Sequence, residues 1–389
     1  MMSDKAGYHR ETKLMHAGRK PDDYFGVVNP PICRASTILY KDLAAYYDLD
    51  TNFRYGRMGN PLSQAFEGAM AELEGGFNAI STSSGLSAIT TALWSFLKAG
   101  DHFLMVDSCY PPARFFVTKQ LRAFGVDVEF YDPMIGADIQ SLIRENTAVI
   151  YMETPGSASF DVQDVPAITA VAKARGIITI VDNTYSSGIL FSPLAHGANI
   201  VLQSCAKYIG GHSDINLGVV IADNEAHYKT LKSCALNLGV CGAAEDMYLA
   251  LRGLRTLEMR LKQASKGMQP VLAWFQNRPE IAGLYSPMLA DHPGHDIWKR
   301  DFSGVNGLFS VLLKPEYTME SIARFVDSLE LFPVGSSWGG YESLIQPQDM
   351  KAYRSDWKEE GFFLRFQIGN ENTQDLIADL EQGISNLKI

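Results

Sequence analysis

The sequence lacks several features that define specialised protein classes. No run of about 18 apolar residues occurs among its 389 residues, so we expect no membrane-spanning helix and no membrane partner. There are only five cysteines, with no C-x-x-C pair, which argues against a disulfide framework and gives no reason to predict a metal site. Met1–Lys5 are polar and do not form the apolar core of a signal peptide, so we expect a cytoplasmic protein.

Positive charge is also scarce. Lysine and arginine number 34 against 44 aspartates and glutamates, and the net charge is −10, which argues against nucleic acid as the main partner. No G-x-G-x-x-G fingerprint follows the early strands, and no G-x-x-x-x-G-K-[ST] motif occurs. A nicotinamide dehydrogenase and a nucleotide hydrolase therefore both lack their usual signals.

Apolar runs and helical patterns alternate from about residue 61 to residue 225. We predict strands over His102–Asp107, Val126–Tyr131, Ala148–Glu153, Ile177–Asp182, Ile200–Gln203 and Leu217–Ala222. We predict helices between them over residues 86–99, Arg114–Phe124, Ile139–Glu145 and Val165–Arg175. Because the strands are mostly apolar throughout, helices should cover both sheet faces, and the pattern predicts a mostly parallel, doubly wound α/β domain.

A chain of this length should divide into more than one domain. We expect residues 1–60, which carry few regular signals, to contact a neighbouring subunit. Residues 61–250 form the predicted large, cofactor-binding domain, and residues 251–389 a smaller α+β domain. The elements predicted in the second half are Tyr228–Leu238, Ala244–Ser265, Leu308–Leu313, Met319–Leu329, Phe362–Ile368 and Thr373–Leu387.

One lysine and one aspartate form the most informative pair in the chain. Asp182 closes an apolar run, and Lys207 follows 25 residues later among the small and polar residues of 204–212. A lysine that forms a Schiff base and a carboxylate that holds a pyridinium proton are the core of a pyridoxal phosphate (PLP) site. Taken alone, Asp182 could equally cap a turn, and Lys207 could be a solvated surface residue.

Other motifs follow predicted strands, where ligands bind in open α/β sheets. Ser81–Leu86 opens a helix with small residues that let backbone N–H groups approach a phosphate, although a plain helix cap would look the same. The ring of Tyr110 could stack on a flat cofactor or be simply structural. Phe53–Arg57 offers groups for a phosphate or a polar loop face, and Arg365 in an apolar strand indicates a substrate carboxylate or an ion pair.

Together these motifs resemble the cysteine and methionine metabolism family of PLP enzymes over nearly the whole chain. The resemblance implies the aspartate-aminotransferase-like fold, known as fold type I. It assigns Lys207 to the Schiff base, Asp182 to the pyridinium and Tyr110 to ring stacking. It assigns the phosphate to Tyr55 and Arg57 of a neighbouring subunit and to Gly85, Leu86 and Ser204, and the substrate α-carboxylate to Arg365.

Two segments favour a β-eliminating member of this family. Gly335–Ser343 contains S-W-G-G-Y-E-S, which resembles the β-type sequence, whereas γ-type members usually carry S-L-G-G-x-E-S. Glu153–Ser157 contains the β-type P-G-S in place of an asparagine–proline pair. Ser337 and Trp338 would orient the substrate carboxylate. One departure is Ala206, where the family usually has a threonine whose hydroxyl would serve the phosphate.

The resemblance therefore implies cleavage of cystathionine to homocysteine, pyruvate and ammonia, a step of methionine biosynthesis, with Lys207 as the catalytic acid and base and Tyr110 as a base for the substrate amine. γ-Elimination or γ-replacement is the alternative within the family. A non-catalytic protein that holds the cofactor is a remote alternative, supported only by Ala206. The family also implies a homotetramer whose active sites are shared between subunits.

Overall fold

The computed structural model of the protein describes residues 7–48, 53–354 and 356–388. Residues 1–6 and 49–52 of the predicted N-terminal segment, including the whole Met1–Lys5 stretch, lie outside the described residues. Within the described ranges, no helix is both long enough and apolar enough to cross a membrane. The same ranges contain no group of three or more histidine, cysteine, aspartate or glutamate side chains placed to hold a metal ion.

The larger of two sheets has seven strands in the order β1-β7-β6-β5-β4-β2-β3. The strands are β1 (Asn78–Thr82), β2 (His102–Val106), β3 (Asp127–Tyr131), β4 (Thr147–Glu153), β5 (Ile178–Asp182), β6 (Ile200–Ser204) and β7 (Gly218–Ala222). Pairing is parallel from β6 through β5, β4 and β2 to β3, and antiparallel where β7 joins β6 and β1. The predicted mostly parallel sheet is therefore confirmed.

The smaller sheet is antiparallel throughout, in the order β10-β11-β9-β8. Its strands are β8 (Ile281–Tyr285), β9 (Leu308–Leu313), β10 (Leu344–Gln348) and β11 (Phe362–Gln367). The predictions for β9 and β11 are confirmed, whereas the sequence patterns missed β8 and β10. The predicted combination of a large parallel sheet with a smaller α+β part is confirmed.

Thirteen α-helices lie within the described residues. They are α1 (Arg10–His16), α2 (Leu43–Tyr47), α3 (Pro61–Glu74), α4 (Gly85–Phe96), α5 (Pro111–Phe116), α6 (Val165–Arg175), α7 (Glu225–Leu238), α8 (Ala244–Leu254), α9 (Leu257–Gln276), α10 (His295–Asp301), α11 (Met319–Asp327), α12 (Met350–Tyr353) and α13 (Thr373–Ile384). Good capping residues explain several boundaries. For example, the Asn60 side chain accepts from Leu62 N and Ser63 N at the start of α3.

Three predicted helices differ from the structure. The helix predicted over Arg114–Phe124 begins earlier, at Pro111, because proline suits the first helical positions, and it continues as π and 3₁₀ turns to Phe124. The helix predicted over Ile139–Glu145 is wrong, since the chain forms a 3₁₀ helix over Gly136–Leu142. The single helix predicted over Ala244–Ser265 is two helices, α8 and α9, separated at Arg255 and Thr256.

Two hydrophobic cores meet along the long helix α9. Leu261 belongs to the core of the large sheet, and Met268, two turns later, to the core of the small sheet. One helix therefore packs on both parts of the chain, and the domain limits predicted at residues 60 and 250 stay a prediction. This packing places the small sheet beside the carboxyl ends of the parallel strands, where the candidate site lies.

Candidate active site

A cavity of about 830 Å³ lies at the carboxyl ends of β2, β4, β5 and β6 and is closed on one side by the small sheet. Most of the residues predicted from the sequence line this cavity. They are Gly85, Leu86, Tyr110, Asp182, Ser204, Lys207, Trp338 and Arg365. Its size lies in the range of sites for cofactors and small molecules.

The α4 end of the cavity is built to receive an anion. Ser84 caps α4 by accepting from Ser87 N, and the N–H groups of the first helical turn have no acceptor within the helix. A Cβ atom on Gly85 would lie 2.5 Å from the Ser204 Cβ, so only glycine allows this close approach. The Gly85 and Leu86 amides, the helix dipole and the Ser204 side chain therefore converge on one space, which suits a phosphate.

Asp182, the last residue of β5, is fixed by several donors. Its Oδ1 accepts from Thr184 N at 3.0 Å and from Thr184 Oγ1 at 2.5 Å, and its Oδ2 accepts from the Tyr151 hydroxyl at 3.4 Å. Burial raises the pKa of Asp182, while the Thr184 and Tyr151 bonds and the charge of Lys207 oppose that rise. A cationic ring nitrogen placed beside this carboxylate would compensate its buried charge.

Lys207 follows β6, and its ammonium group points across to the small-sheet side of the cavity. Its Nζ donates to Ser337 Oγ at 2.8 Å and lies 5.5 Å from the centre of the Trp338 ring. Burial and the positive charge of Arg365 lower the pKa of Lys207 to about 8, against the opposing effect of Asp182. A substantial fraction of this amine is therefore neutral near physiological pH, as a nucleophilic lysine requires.

The loop that carries Ser337 and Trp338 packs directly on the lysine backbone. Gly339 has a φ of +81°, and a Cβ there would lie 2.8 Å from Tyr208 N and 3.2 Å from Lys207 Cα. The glycine in the S-W-G-G-Y-E-S segment thus permits a close approach that no other residue could make. This contact explains how a loop 130 residues away in sequence holds Lys207 through Ser337.

Arg365 lies on β11, opposite Gln346 of β10 and Ser310 of β9. Its guanidinium donates to Ser337 O at 3.0 Å and to the side-chain oxygen of Gln346. Both of these acceptors are neutral groups, and Arg365 lines the cavity. The arrangement can bind a carboxylate beside Lys207.

Tyr110 follows β2, and 42% of the residue is exposed in the cavity wall. Burial raises the pKa of its phenol, the negative charges of Glu153 and Asp182 add to that effect, and Arg365 opposes it. The phenol is therefore neutral at physiological pH. It therefore carries a proton in the resting site.

Tyr55 and Arg57 are not brought to this cavity by the fold of the single chain. Tyr55 pairs with Thr37 through an isolated β-bridge, and Arg57 donates to Leu236 O at 3.0 Å. Both residues line a separate cavity of about 420 Å³, together with Cys33 and Glu67. Within one chain they are thus separated from Lys207.

Sequence reasoning missed the part that Glu153 takes in the site. This glutamate ends β4, directly beside Asp182 at the end of β5, and its carboxyl group lines the same cavity. The signal was present, because Glu153 closes an apolar strand in the same way as Asp182 does. Nothing in the sequence showed what its carboxyl group would contact.

Comparison with known proteins connects this geometry to one family. Residues 11–385 match the family model described as Cys/Met metabolism PLP-dependent enzyme. The chain is 39% identical to the cystathionine beta-lyase of Bordetella avium, over 98% of this chain and 99% of that protein. It is also 39% identical to the L-alanine/L-glutamate racemase of Wolbachia pipientis wMel, over 97% of each chain.

Solved structures share the fold as well. A cystathionine gamma synthase from Xanthomonas oryzae pv. oryzae, solved with cystathionine, superimposes with a TM-score of 0.92. It is 30% identical, and the alignment covers 98% of this chain and 99% of the other. Enzymes named for β- and γ-type reactions therefore share this architecture, and the fold alone does not separate the two reactions.

Proposed function

Because the chain belongs to the Cys/Met metabolism PLP-dependent enzyme family, we propose that it is a carbon–sulfur lyase acting on cystathionine. The reaction cleaves the Cβ–S bond and releases homocysteine, pyruvate and ammonia. The observation that carries the proposal is the convergence of Lys207, Asp182 and Arg365 on one cavity, with Lys207 bonded to Ser337 of the β-type loop. The relative from Bordetella avium, named for this activity, supports the assignment.

The residues of the cavity fit PLP. Lys207 would hold it covalently, Asp182 would bind the ring nitrogen, and the Gly85, Leu86 and Ser204 groups would receive the phosphate. The close approach of Gly85 to Ser204, which a Cβ would block, supports this placement of the phosphate. When bound, PLP supplies an electron sink that stabilises negative charge on the substrate Cα.

The chain's own groups divide the remaining work. Arg365 binds the α-carboxylate and so orients the substrate toward Lys207. The lowered pKa of Lys207 suits it to take the proton from Cα. Tyr110, whose pKa is raised, keeps its phenol proton and can donate it to the leaving sulfur, while its role as a base for the substrate amine stays a prediction.

Tyr55 and Arg57 serve the phosphate of a second copy of the chain. This assignment is supported by their distance from the chain's own cavity and by the surface around them. The exposed large apolar residues between positions 25 and 58 are Phe25, Val27, Val28, Ile32, Leu39, Leu43, Tyr46, Tyr47, Tyr55 and Met58. Such a concentration is typical of a surface that another subunit covers, and it supports an oligomer with shared sites, which we propose to be a homotetramer.

The enzyme acts in the cytoplasm, in methionine biosynthesis. All five cysteines are free, as expected for a reducing compartment. The substrate class is an amino acid. PLP condenses with amines, and Arg365 lines the same cavity in a position to bind a carboxylate.

A second candidate activity is racemisation of a small amino acid. The observation that favours it is the 39% identity to the racemase of Wolbachia pipientis wMel over 97% of each chain. Racemisation and β-elimination both begin with removal of the Cα proton, so the same Lys207 serves either reaction. They differ in whether a leaving group at Cβ departs before the proton returns.

One assay separates these possibilities. The purified holoenzyme is given L-cystathionine, and pyruvate and 2-oxobutyrate are measured side by side. We expect pyruvate to dominate; dominant 2-oxobutyrate would assign the enzyme to γ-elimination instead. A parallel incubation with L-alanine, followed by chiral chromatography, tests racemisation, and D-alanine formed faster than pyruvate would make racemisation the main activity.

A further inference from the structure

The carboxyl group of Glu153 joins two loops that border the cavity. Its Oε2 accepts from the backbone N–H of Tyr110 at 2.7 Å. Its other oxygen, Oε1, accepts from the hydroxyl of Ser157 at 2.7 Å. Glu153 therefore connects the loop after β2, which carries the ring-stacking tyrosine, to the loop after β4, which carries the P-G-S segment.

This carboxyl group has an unusual setting for a glutamate. It is 9% exposed, and within residues 7–48, 53–354 and 356–388 no lysine, arginine or histidine forms an ion pair with it. Burial and the neighbouring charge of Asp182 raise the pKa of Glu153 to about 8. Asp182 accepts from more donors and lies near Lys207, and both features oppose the rise of its own pKa. Glu153 therefore accepts from Tyr110 N and from the Ser157 hydroxyl in a setting that favours its protonated form.

The same two loops touch at a second point. Ser157 N donates to Ser108 O at 2.8 Å. A Cβ on Gly156 would lie 2.4 Å from the Ser108 Oγ and 2.9 Å from the Ser108 backbone oxygen, so the glycine is required for this approach. The Gly156-Ser157 pair therefore packs against the strand end two residues before Tyr110.

Tyr110 depends on this support because of its own sequence context. It precedes Pro111 and Pro112, which begin α5 and carry no N–H group. The Tyr110 N–H is thus the last backbone donor before Ala113 in α5. Its acceptor is the side chain of Glu153, at the end of β4. The Tyr110 carbonyl accepts from Ala113 N at 2.9 Å and from Arg114 N at 3.1 Å, so α5 holds one side of this residue and Glu153 the other.

We propose that Glu153 is a positioning residue of the reaction, which together with Ser157 sets the place of the Tyr110 phenol in the cavity. The effect of Glu153 on kcat can be measured only if the enzyme has the proposed function, so this part of the inference rests on that function. It also assigns a mechanism to the P-G-S segment: Gly156 and Ser157 influence the reaction through Tyr110, and Ser157 need not contact the substrate itself.

The test compares Glu153→Gln, Glu153→Ala and Ser157→Ala in the PLP-loaded enzyme. Glutamine can accept from Tyr110 N, and its NH2 group can donate to the Ser157 hydroxyl once that hydroxyl turns to accept, so we expect Glu153→Gln to retain most of the wild-type kcat. Glu153→Ala removes both bonds, and a displacement of about 1 Å is expected to lower kcat about a hundredfold with a smaller effect on KM. Ser157→Ala should fall between the two.

Two measurements distinguish positioning from a loss of fold. The visible circular dichroism of bound PLP should change in Glu153→Ala and not in Glu153→Gln. The control is Glu145→Ala at an exposed site, whose melting temperature should stay at the wild-type value. In a Tyr110→Phe background, Glu153→Ala should cause a much smaller further loss of kcat. Equal losses in the two backgrounds, or an inactive Glu153→Gln with normal stability, would overturn the proposal.

Failure of the proposed function gives a different result. A wild-type enzyme that releases no pyruvate from cystathionine removes that reaction but leaves the circular dichroism comparison intact. If Glu153→Ala then shows the wild-type PLP signal, the positioning role is removed as well. A changed signal keeps that role for whatever reaction the cavity performs.

Discussion

Lys207 Nζ donates to Ser337 Oγ at 2.8 Å, although 130 residues separate the two in the chain. The lysine follows the large parallel sheet, and the serine lies in the loop before β10 of the small sheet. The Lys207 amine therefore has a defined position in the cavity only when both parts of the chain pack together. This relationship, and the burial that lowers the pKa of Lys207, underlie the first prediction.

Lys207→Ala should abolish covalent attachment of PLP and lower the rate of pyruvate release by at least about a hundredfold, because a positioned proton-transfer group contributes that much or more. Absorbance of the purified protein in the visible and a coupled pyruvate assay measure the two effects. Lys266→Ala, at an exposed site on α9, is the matched control and should behave as wild type. Full activity in Lys207→Ala would remove the assignment.

Arg365→Lys should raise the KM for cystathionine about tenfold or more while leaving the visible absorbance of bound PLP unchanged. Lysine keeps the charge but loses the planar fork that binds a carboxylate through two bonds. Steady-state kinetics measure the change, with Arg324→Lys on the surface of α11 as the control. An unchanged KM would indicate that Arg365 serves the packing of β10 and β11 instead.

Mixing two inactive variants should restore activity if sites are shared between subunits. A dimer with one Arg57→Ala chain and one Lys207→Ala chain contains one intact site, so random exchange should recover about a quarter of wild-type turnover. The control mixes Asp182→Ala with Lys207→Ala. Each substitution damages the cavity of its own chain, so no intact site forms and no activity should return. Recovery in the control alone would contradict the assignment.

Glu74→Gln should make the protein more stable at pH 8 than the wild type. Glu74 is fully buried, and burial raises its pKa to about 7. A carboxyl group with a raised folded-state pKa contributes stability below its unfolded pKa, and this contribution is lost as pH rises through about 7. The wild type should therefore lose stability between pH 5 and pH 8 that the variant keeps.

The partners of Glu74 favour the same outcome. Asn183 Nδ2 donates to it at 2.9 Å, and the buried Asn183 Oδ1 and Gln203 Oε1 have no hydrogen-bond partner within the described part of the chain. A glutamine amide could donate to one of these oxygens. Melting temperatures of both proteins at pH 5.5 and pH 8 test the prediction, and an advantage of the variant that is larger at pH 5.5 would contradict it.

Much of the fold could be predicted because buried parallel strands and capped helices leave local signals. Helix α6 runs from Val165 to Arg175 as predicted, with Asp164 accepting from Ala167 N and Gly176 in the left-handed conformation at its end. In contrast, β10 contains Pro347 and two glutamines and has no strand pattern. Its strand conformation follows from pairing with β11, which no local rule describes.

The candidate site divides in the same way. Lys207, Asp182 and Tyr110 were identified from residue types at or just after strand ends, and Arg365 from its place in an apolar strand. The fold brings all four to one cavity. Tyr55 and Arg57 were identified from the same kind of motif, yet the single chain places them elsewhere. The bond between Glu153 and the Tyr110 N–H joins two strand ends 43 residues apart, and no periodicity encodes it.

The amino-acid sequence by itself determined the chemistry of this protein, because a lysine, a strand-end aspartate and an arginine in an apolar strand are residue types that few other reactions require together. Tertiary structure alone decided which of these groups hold or release a proton. The lowered pKa of Lys207 and the raised pKa values of Tyr110 and Glu153 all depend on burial and on charges from distant strands. Electrostatic effects of this kind arise only from packing, so they cannot be read from the order of residues.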